Sequence, residues 1–274
     1  ESEPLYKAAV LYTGESAWVG EAQNVAPVVR ALETAQVSTL VLPYDADWSS
    51  FGTVVLPYAR WVPDGVLERL ARAPGLVLVV EKWPDGAPPE LKAKARLVTL
   101  PELAAYVAPT VRIDPPSASV VVSRRKGEGG EWILLHNRSL HDAWRGRVDA
   151  QAVRYDAIED VWYDAREVEL PPYGLAVLWT GRAPVAVRPS PRYRPLREIA
   201  GPWGTPAGVR ASLVDWRRWT GLEEFSGTMR YSRSVMLDDP RGLALDLGEV
   251  AEIAELRVNG KPAGVRIAPP YRFD

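Results

Sequence analysis

Two histidines, His136 and His141, are the only imidazoles in a chain that has no cysteine. Zinc or iron would have to be held by these two and by carboxylates, because no thiolate is available. His136-Asn-Arg-Ser-Leu-His141 spaces the imidazoles five apart. On an extended strand that spacing turns them to opposite sides, and it matches neither a helical pair nor a zinc finger. The expectation is a strand end with one half-buried histidine and no metal. The same absence of cysteine removes disulfides and thiolate nucleophiles. A serine–histidine–acid triad lacks its Gly-x-Ser-x-Gly elbow.

Carboxylates offer the next chemistry. Glycoside cleavage needs two of them roughly 5–9 Å apart, flanking the bond to be broken. Asp156, Glu159, Asp160 and Asp164 cluster in a turn-rich stretch, and Glu223-Glu224 precede Phe225. Both groups read as solvated hairpin ends, since aspartate favours turns for backbone reasons. No catalytic pair is nominated. Thr13-Gly14-Glu15-Ser16 follows the first apolar run, but a single glycine beside a serine makes a turn rather than a phosphate cradle. No cofactor is implied.

Aromatic residues are more informative. The chain has 11 tryptophans against 3 phenylalanines. Trp203, Trp216 and Trp219 fall in or beside irregular stretches. Flat indole faces bind sugars by stacking against C–H groups, while neighbouring Arg, Asp and Glu engage the hydroxyls. These three are the candidate carbohydrate-binding residues. The competing reading is that they fill a small β core.

The elements that would position these groups follow from periodicity. Ala8–Leu11, Thr39–Leu42, Thr53–Leu56 and Leu76–Val80 are short unbroken apolar runs, which suit strands covered on both faces. Between them, Ala22, Val25, Ala26, Val29 and Leu32 form one helical stripe, with Asn24 as cap and Pro27 in the first turn. A second helix is predicted from Pro63, burying Val66, Leu67, Leu70 and Ala71. Strand and helix in alternation predict a doubly wound parallel sheet over 1–110.

From Ala118 to Thr180 the period becomes two. Strands are predicted at Ala118–Ser123, Glu131–His136, Arg145–Val153, Val161–Tyr163, Val168–Leu170 and Gly174–Thr180, making a small β-sandwich over 111–185. The first of these is predicted to end at the polar Arg124–Gly130. Pro184, Pro189, Pro191, Pro195, Pro202 and Pro206 then mark a linker or irregular opening. Alternation returns in Thr228–Leu237, Leu243–Leu247 and Ala254–Val258. The last leads into Asn259-Gly260, a strong hairpin signal because both residues tolerate positive φ.

The blocks Phe225–Tyr231, Leu245–Gly248, Ala254–Gly260 and Ala268–Asp274 resemble the galactose-binding-like jelly-roll of bacterial glycoside hydrolases. The resemblance is greatest to large α-L-rhamnosidases and more distant to β-galactosidase relatives. Trp132–Ser139 and Leu170–Leu178 resemble the β-sandwich preceding that domain. Ala8–Leu103 is similar to the flavodoxin- or amidotransferase-like α/β domain that follows the catalytic barrel in these enzymes. The implied fold class is therefore α/β plus all-β, with an incomplete jelly-roll over 186–274.

The resemblance implies that the catalytic carboxylates belong to a separate (β/α)8 barrel, which alone takes roughly 250 residues. No catalytic residue is carried over. Without cysteine, the amidotransferase-like domain becomes a scaffold. The expected role is that of a non-catalytic C-terminal portion, serving carbohydrate contact or the support and assembly of a barrel. The expected partners are a carbohydrate ligand, and a barrel or further strands from the same parent protein or another chain. Two alternatives stand beside it: a free-standing carbohydrate-binding protein, and a structural or oligomerisation module completed by another chain.

Composition bounds the rest. Apolar residues make up 47% and charged ones 25%, as in ordinary globular domains. A net charge of −2 gives no global reason to bind nucleic acid or an anionic membrane. The opening Glu1-Ser2-Glu3-Pro4 lacks the basic and apolar regions of a signal peptide, and the sequence does not assign a compartment, cytoplasmic or secreted.

Overall fold

The computed structural model describes residues 2–14, 17, 20 and 22–274. Contacts divide the chain into two units, Glu1–Ser190 with Leu247–Arg272, and Pro191–Asp246 with Phe273–Asp274.

The larger unit opens with β1 (Glu3–Leu5), β2 (Ala8–Tyr12), α1 (Ala26–Thr34), β3 (Thr39–Pro43) and β4 (Thr53–Leu56). It continues through α2 (Asp64–Ala71), β5 (Leu76–Val80), α3 (Pro89–Lys94) and β6 (Arg96–Val98). Strands β2 to β6 form one parallel sheet in the order β3-β2-β4-β5-β6. This is the flavodoxin-type doubly wound order. The apolar runs form strands because both faces are covered. Ala9, Leu11, Val54, Leu56, Val77 and Val79 meet α2 and Leu91 of α3 on one side. Ala8, Val10, Val55, Leu78 and Val80 meet α1 and Leu103 on the other. Each fully buried leucine or valine here contributes about 1.5–3 kcal/mol.

Helix α2 buries Val66, Leu67 and Leu70, as its spacing predicts. Helix α1 departs from the predicted stripe. It begins at Ala26 with Pro27 in its first turn, so Ala22 lies ahead of it, and Val28 and Leu32 are its buried residues. Asn24 still serves the start, its Oδ1 accepting from the Ala26 N–H at 3.2 Å.

The same unit continues through β7 (Ile113–Asp114), β8 (Val120–Gly127), β9 (Gly130–Asn137), β10 (Trp144–Val148), β11 (Val153–Asp156), β12 (Val161–Asp164), β13 (Val168–Leu170) and β14 (Leu175–Trp179). A six-stranded sheet, β1-β8-β9-β14-β11-β12, faces a three-stranded one, β13-β10-β7. Val120, Val122, Ile133, Leu135, Ala176 and Leu178 from the first meet Trp144, Val168, Leu170 and Ile113 from the second. Gly146 is required beneath Trp144, because a Cβ there would stand 2.6 Å from the indole and 2.3 Å from the Asp114 carbonyl oxygen.

Three expectations change in this region. The polar Arg124–Gly130 stretch does not end a strand; β8 runs through it to Gly127 and pairs with β9 in register. Arg124 forms an ion pair there with Glu131. Arg145–Val153 is two strands rather than one, β10 and β11. Strand β1 lies inside the stretch read as α/β, yet it pairs antiparallel with β8, Pro4 opposite Arg125.

The smaller unit holds β15 (Trp203–Thr205), β16 (Gly208–Arg210) and β17 (Leu245–Asp246). Thr228–Leu237 is not a strand. Only Ser232 forms a bridge, to Gly204, and Met236 is 91% exposed, with no sheet beneath it to reward the alternation. The hairpin of β18 (Ala254–Val258) and β19 (Lys261–Arg266) turns on Asn259 and Gly260 with φ of 52° and 79°, as the sequence requires. By its contacts this hairpin groups with the larger unit.

Candidate functional site

Trp203 is half-buried at the start of β15, with the Arg233 guanidinium 5.9 Å from its ring centre. Arg233 is held by donating to the Pro202 carbonyl oxygen at 2.8 Å. Trp216 is also half-buried and meets Phe225 edge-on, with ring centres 5.9 Å apart. Its position is fixed by Asp215, which caps the short 3-10 turn Trp216–Arg218 by accepting from the Arg217 N–H at 3.0 Å. The Arg217 side chain folds back on that carboxylate and holds its pKa down at about 2. Trp219 is different: it is only 8% exposed, lying between the Arg210 guanidinium at 4.7 Å and the edge of Tyr231. Each indole thus has its own partner. Trp203 and Trp216 are half-buried, whereas Trp219 is packed.

The acidic cluster is used up within the fold. Asp156 accepts from the Ile158 and Glu159 N–H groups, and Asp160 from the Tyr155 hydroxyl at 2.9 Å. Asp164 accepts from the Ser190 N–H at 3.3 Å. Glu159 is exposed in the hairpin turn between β11 and β12, as expected, and has a partner besides. It forms an ion pair with Arg266, which is 8% exposed and also donates to the Arg272 carbonyl oxygen at 2.7 Å. Glu223 and Glu224 are exposed.

The histidines stay apart in role. His136 is half-buried in β9, whereas His141 is exposed in the loop beyond it. Among the described residues, no group of three or more His, Asp or Glu could hold a metal ion. Between the histidines lies a residue that sequence reasoning missed. Asn137 is fully buried, and its amide donates to the carbonyl oxygens of Asp142 (2.7 Å), Leu170 (3.3 Å) and Pro171 (3.1 Å). Its Oδ1 accepts from Ser139, a short-range turn that the Asn-x-Ser spacing could have signalled.

Also missed is a cluster on the outer face of the six-stranded sheet. Trp132 and Trp179 have ring centres 4.6 Å apart, and Tyr155 and Trp162 4.8 Å apart. The rings tilt by 34–41° within these pairs, and Trp162 and Trp179 are buried, so this is packing rather than an open platform.

Glu15 and Ser16 of the Thr13–Ser16 turn lie outside the described residues. Thr13 is fully buried and its N–H donates to Gln23 Oε1 at 2.7 Å. The Gln23 amide bonds the carbonyl oxygens of Leu11 and Pro57, at the ends of β2 and β4. In a doubly wound sheet ligands bind outside the carboxyl ends of the strands, and the Gln23 amide lies there between the ends of β2 and β4. A surface cavity of about 670 Å³ is lined by Ala26, Pro27, Arg30, Ala31, Leu100 and Ala104 among others, and one of about 270 Å³ by Gln36, Pro109, Arg112, Ile113 and Pro116. Neither lining includes an acid or a histidine. No described helix is long and apolar enough to cross a membrane.

A parallel α/β layer, a two-sheet β layer and short antiparallel pairs together define a mixed fold, and that fold occurs within solved glycoside hydrolases. A rhamnosidase from Novosphingobium sp. PP1Y superposes with a TM-score of 0.58 and 19% identity, covering 99% of this chain and 33% of the rhamnosidase. A β-galactosidase from Rahnella sp. R3 superposes at 0.51 with 15% identity, over 66% of this chain and 42% of its own. One from Bacillus circulans sp. alkalophilus gives 0.51 and 14%, over 64% and 41%. In sequence, 59 residues are 42% identical to a Formosa agariphila protein named as a β-glucuronidase, which is 20% of this chain and 5% of that protein. The chain thus spans about a third of the rhamnosidase and a twentieth of the Formosa protein. No protein-family model matches.

Proposed function

We propose that this chain is a non-catalytic accessory portion of a bacterial glycoside hydrolase, whose work is carbohydrate contact or the support and assembly of a catalytic barrel. The observation that carries the reading is the extent of the superposition: nearly all of this chain is accounted for by a third of one rhamnosidase. The chemistry of the described residues supports it. The clustered acids Asp156, Glu159, Asp160 and Asp164 each hold a turn, a hydroxyl or an ion pair, as structural carboxylates do. In this reading the parallel α/β layer is a scaffold, and residues 186–274 are a galactose-binding-like jelly-roll completed by further strands of the parent protein or of another chain. Assay of the purified chain on aryl α-L-rhamnosides, β-galactosides and β-glucuronides tests the proposal. Background hydrolysis is expected, and turnover at enzymatic rates would overturn it.

A second reading, a free-standing carbohydrate-binding protein, is favoured by the part-open rings of Trp203 and Trp216, each flanked by arginine or aspartate. Titration with rhamnose- and galactose-containing oligosaccharides separates the two. A saturable change in tryptophan fluorescence supports sugar binding, and a flat response with no shift in Tm removes it.

A further inference from the structure

We propose that β3 pairs antiparallel with β3 of a second copy of this chain across a two-fold axis, joining two five-stranded sheets into one. The inference begins from the edges of the larger unit. A sheet edge offers unpaired N–H and C=O groups, and proteins blunt such edges with short strands, charge, proline or a covering segment. Strand β6 has three residues, one of them Arg96. Strand β1 has three with Pro4 at its centre, and β12 is covered through bonds between Trp162, Asp164 and Arg188. Strand β7 has two residues and β13 carries Glu169. Strand β3 uses none of these devices along its run. Its five residues, Thr39-Leu-Val-Leu-Pro43, are uncharged, pair with β2 without a register shift, and reach a proline only at the end.

Bond parity fixes what the edge presents. The Ser38 carbonyl accepts from Lys7 and the Tyr44 N–H donates to Tyr12, so the even-numbered residues turn their backbone groups toward β2. Thr39 and Val41 therefore turn both N–H and C=O outward. Among the described residues, no bond from any other element reaches Thr39–Leu42. An antiparallel hydrogen-bonded pair needs two residues that exchange both bonds. Thr39 of one copy and Val41 of the other do so when the axis passes Leu40. With the axis at Val41 instead, Thr39 would face Pro43, which has no N–H to give.

The surroundings suit a second copy. Val41 is 42% exposed and Tyr12 44%, and the register of Val10 with Val41 and Tyr12 with Pro43 sets these apolar groups on one face of the edge. The ends also complement each other in charge. Exposed Lys7 lies beside the start of β3 and exposed Asp45 lies just past its end. Antiparallel pairing brings the Asp45 of each copy toward the Lys7 of the other, whereas parallel pairing sets like against like. One patch meeting itself is the isologous contact of a closed dimer.

Sedimentation of the full chain across a concentration series tests this. Unaltered protein is expected at twice the single-chain mass, Val41→Lys at the single mass, and Leu97→Lys on the opposite edge still at twice. Single-chain mass throughout overturns the proposal, even if the edge then takes up an extended apolar peptide. An assembly that survives Val41→Lys overturns it as well. Circular dichroism checks that the variants fold. Should Val41→Lys fail to fold, amide exchange on the unaltered chain decides: Thr39 and Val41 amides that slow with rising concentration support the dimer, and concentration-independent exchange rejects it.

Discussion

Glu159 and Arg266, 107 residues apart in sequence, form an ion pair that ties the turn between β11 and β12 to the end of β19. The Arg266 side chain is 10% exposed and Glu159 43%, so the guanidinium loses more water than the carboxylate. Glu159→Gln keeps the shape and removes the charge. With one partner at the surface, the expected loss is about 1–2 kcal/mol in urea unfolding. Arg266→Ala should cost more, because the bonds to the Arg272 and Val265 carbonyl oxygens go with it. Equal midpoints for Glu159→Gln and the unaltered chain would show the pair to be idle.

Asn137 satisfies three buried or part-buried carbonyl oxygens between β9, the following loop and β13. Asn137→Ala removes these bonds, although the Pro171 oxygen keeps the Gly174 N–H, and a loss of about 2–4 kcal/mol is expected. Asn137→Asp matches the size but has no N–H to donate and buries a charge, so it should unfold at lower urea than the alanine variant. If aspartate were tolerated, packing rather than donation would be the role of this residue.

The tryptophans should divide by burial. Trp219→Ala removes an 8%-exposed indole from between Arg210 and Tyr231, with an expected cost of about 3–5 kcal/mol and a lowered Tm. Trp203→Ala and Trp216→Ala should cost less, about 1–2 kcal/mol, and act instead on any response to oligosaccharides. A sugar response abolished by Trp219→Ala in a still-folded chain, and untouched by the other two, would reverse this division.

Asp215 gives a pH signature beside Trp216. Its pKa is depressed from the ordinary aspartate value to about 2, chiefly by the Arg217 side chain and then by the Arg217 N–H. A carboxylate with a lowered folded pKa stabilises the structure fully above its unfolded value and loses that contribution as pH falls through the folded one. The environment of Trp216 should therefore stay constant above about pH 4 and change as pH drops toward 2. Carboxyl chemical shifts of Asp215 check this directly, and Asp215→Asn should abolish the transition. A midpoint near 4 would mean that Arg217 is not engaged in solution.

Much of the parallel layer was legible because its strands are covered on both faces, so each reads as an unbroken apolar run. Helix α2 was equally plain, since Val66, Leu67 and Leu70 repeat at helical spacing after a proline. Helix α1 was found but rotated: Pro27 set its start, and the stripe drawn through Ala22 and Ala26 ran ahead of it. In the β layers the alternation of Leu175–Trp179 was reliable, but it misled in Thr228–Leu237, where alternation exists without a partner sheet. The partner of Glu159 could not be read at all, because nothing local distinguishes a glutamate destined for a buried arginine 107 residues away. The candidate tryptophans were legible as residue types only; which of them is buried depends on Arg210 and Tyr231, a tertiary fact.

The placement of β1 has a practical consequence for anyone dividing this gene. A clone started at residue 111 to isolate the sandwich discards Glu3–Leu5, the strand that closes one side of its larger sheet, and bares β8 along Arg124–Lys126. The α/β layer cut away at the same point keeps a dangling tail. Halves made that way would find each other again through the lost strand, and a soluble sandwich would need those first residues grafted back, for instance through a linker at the new terminus.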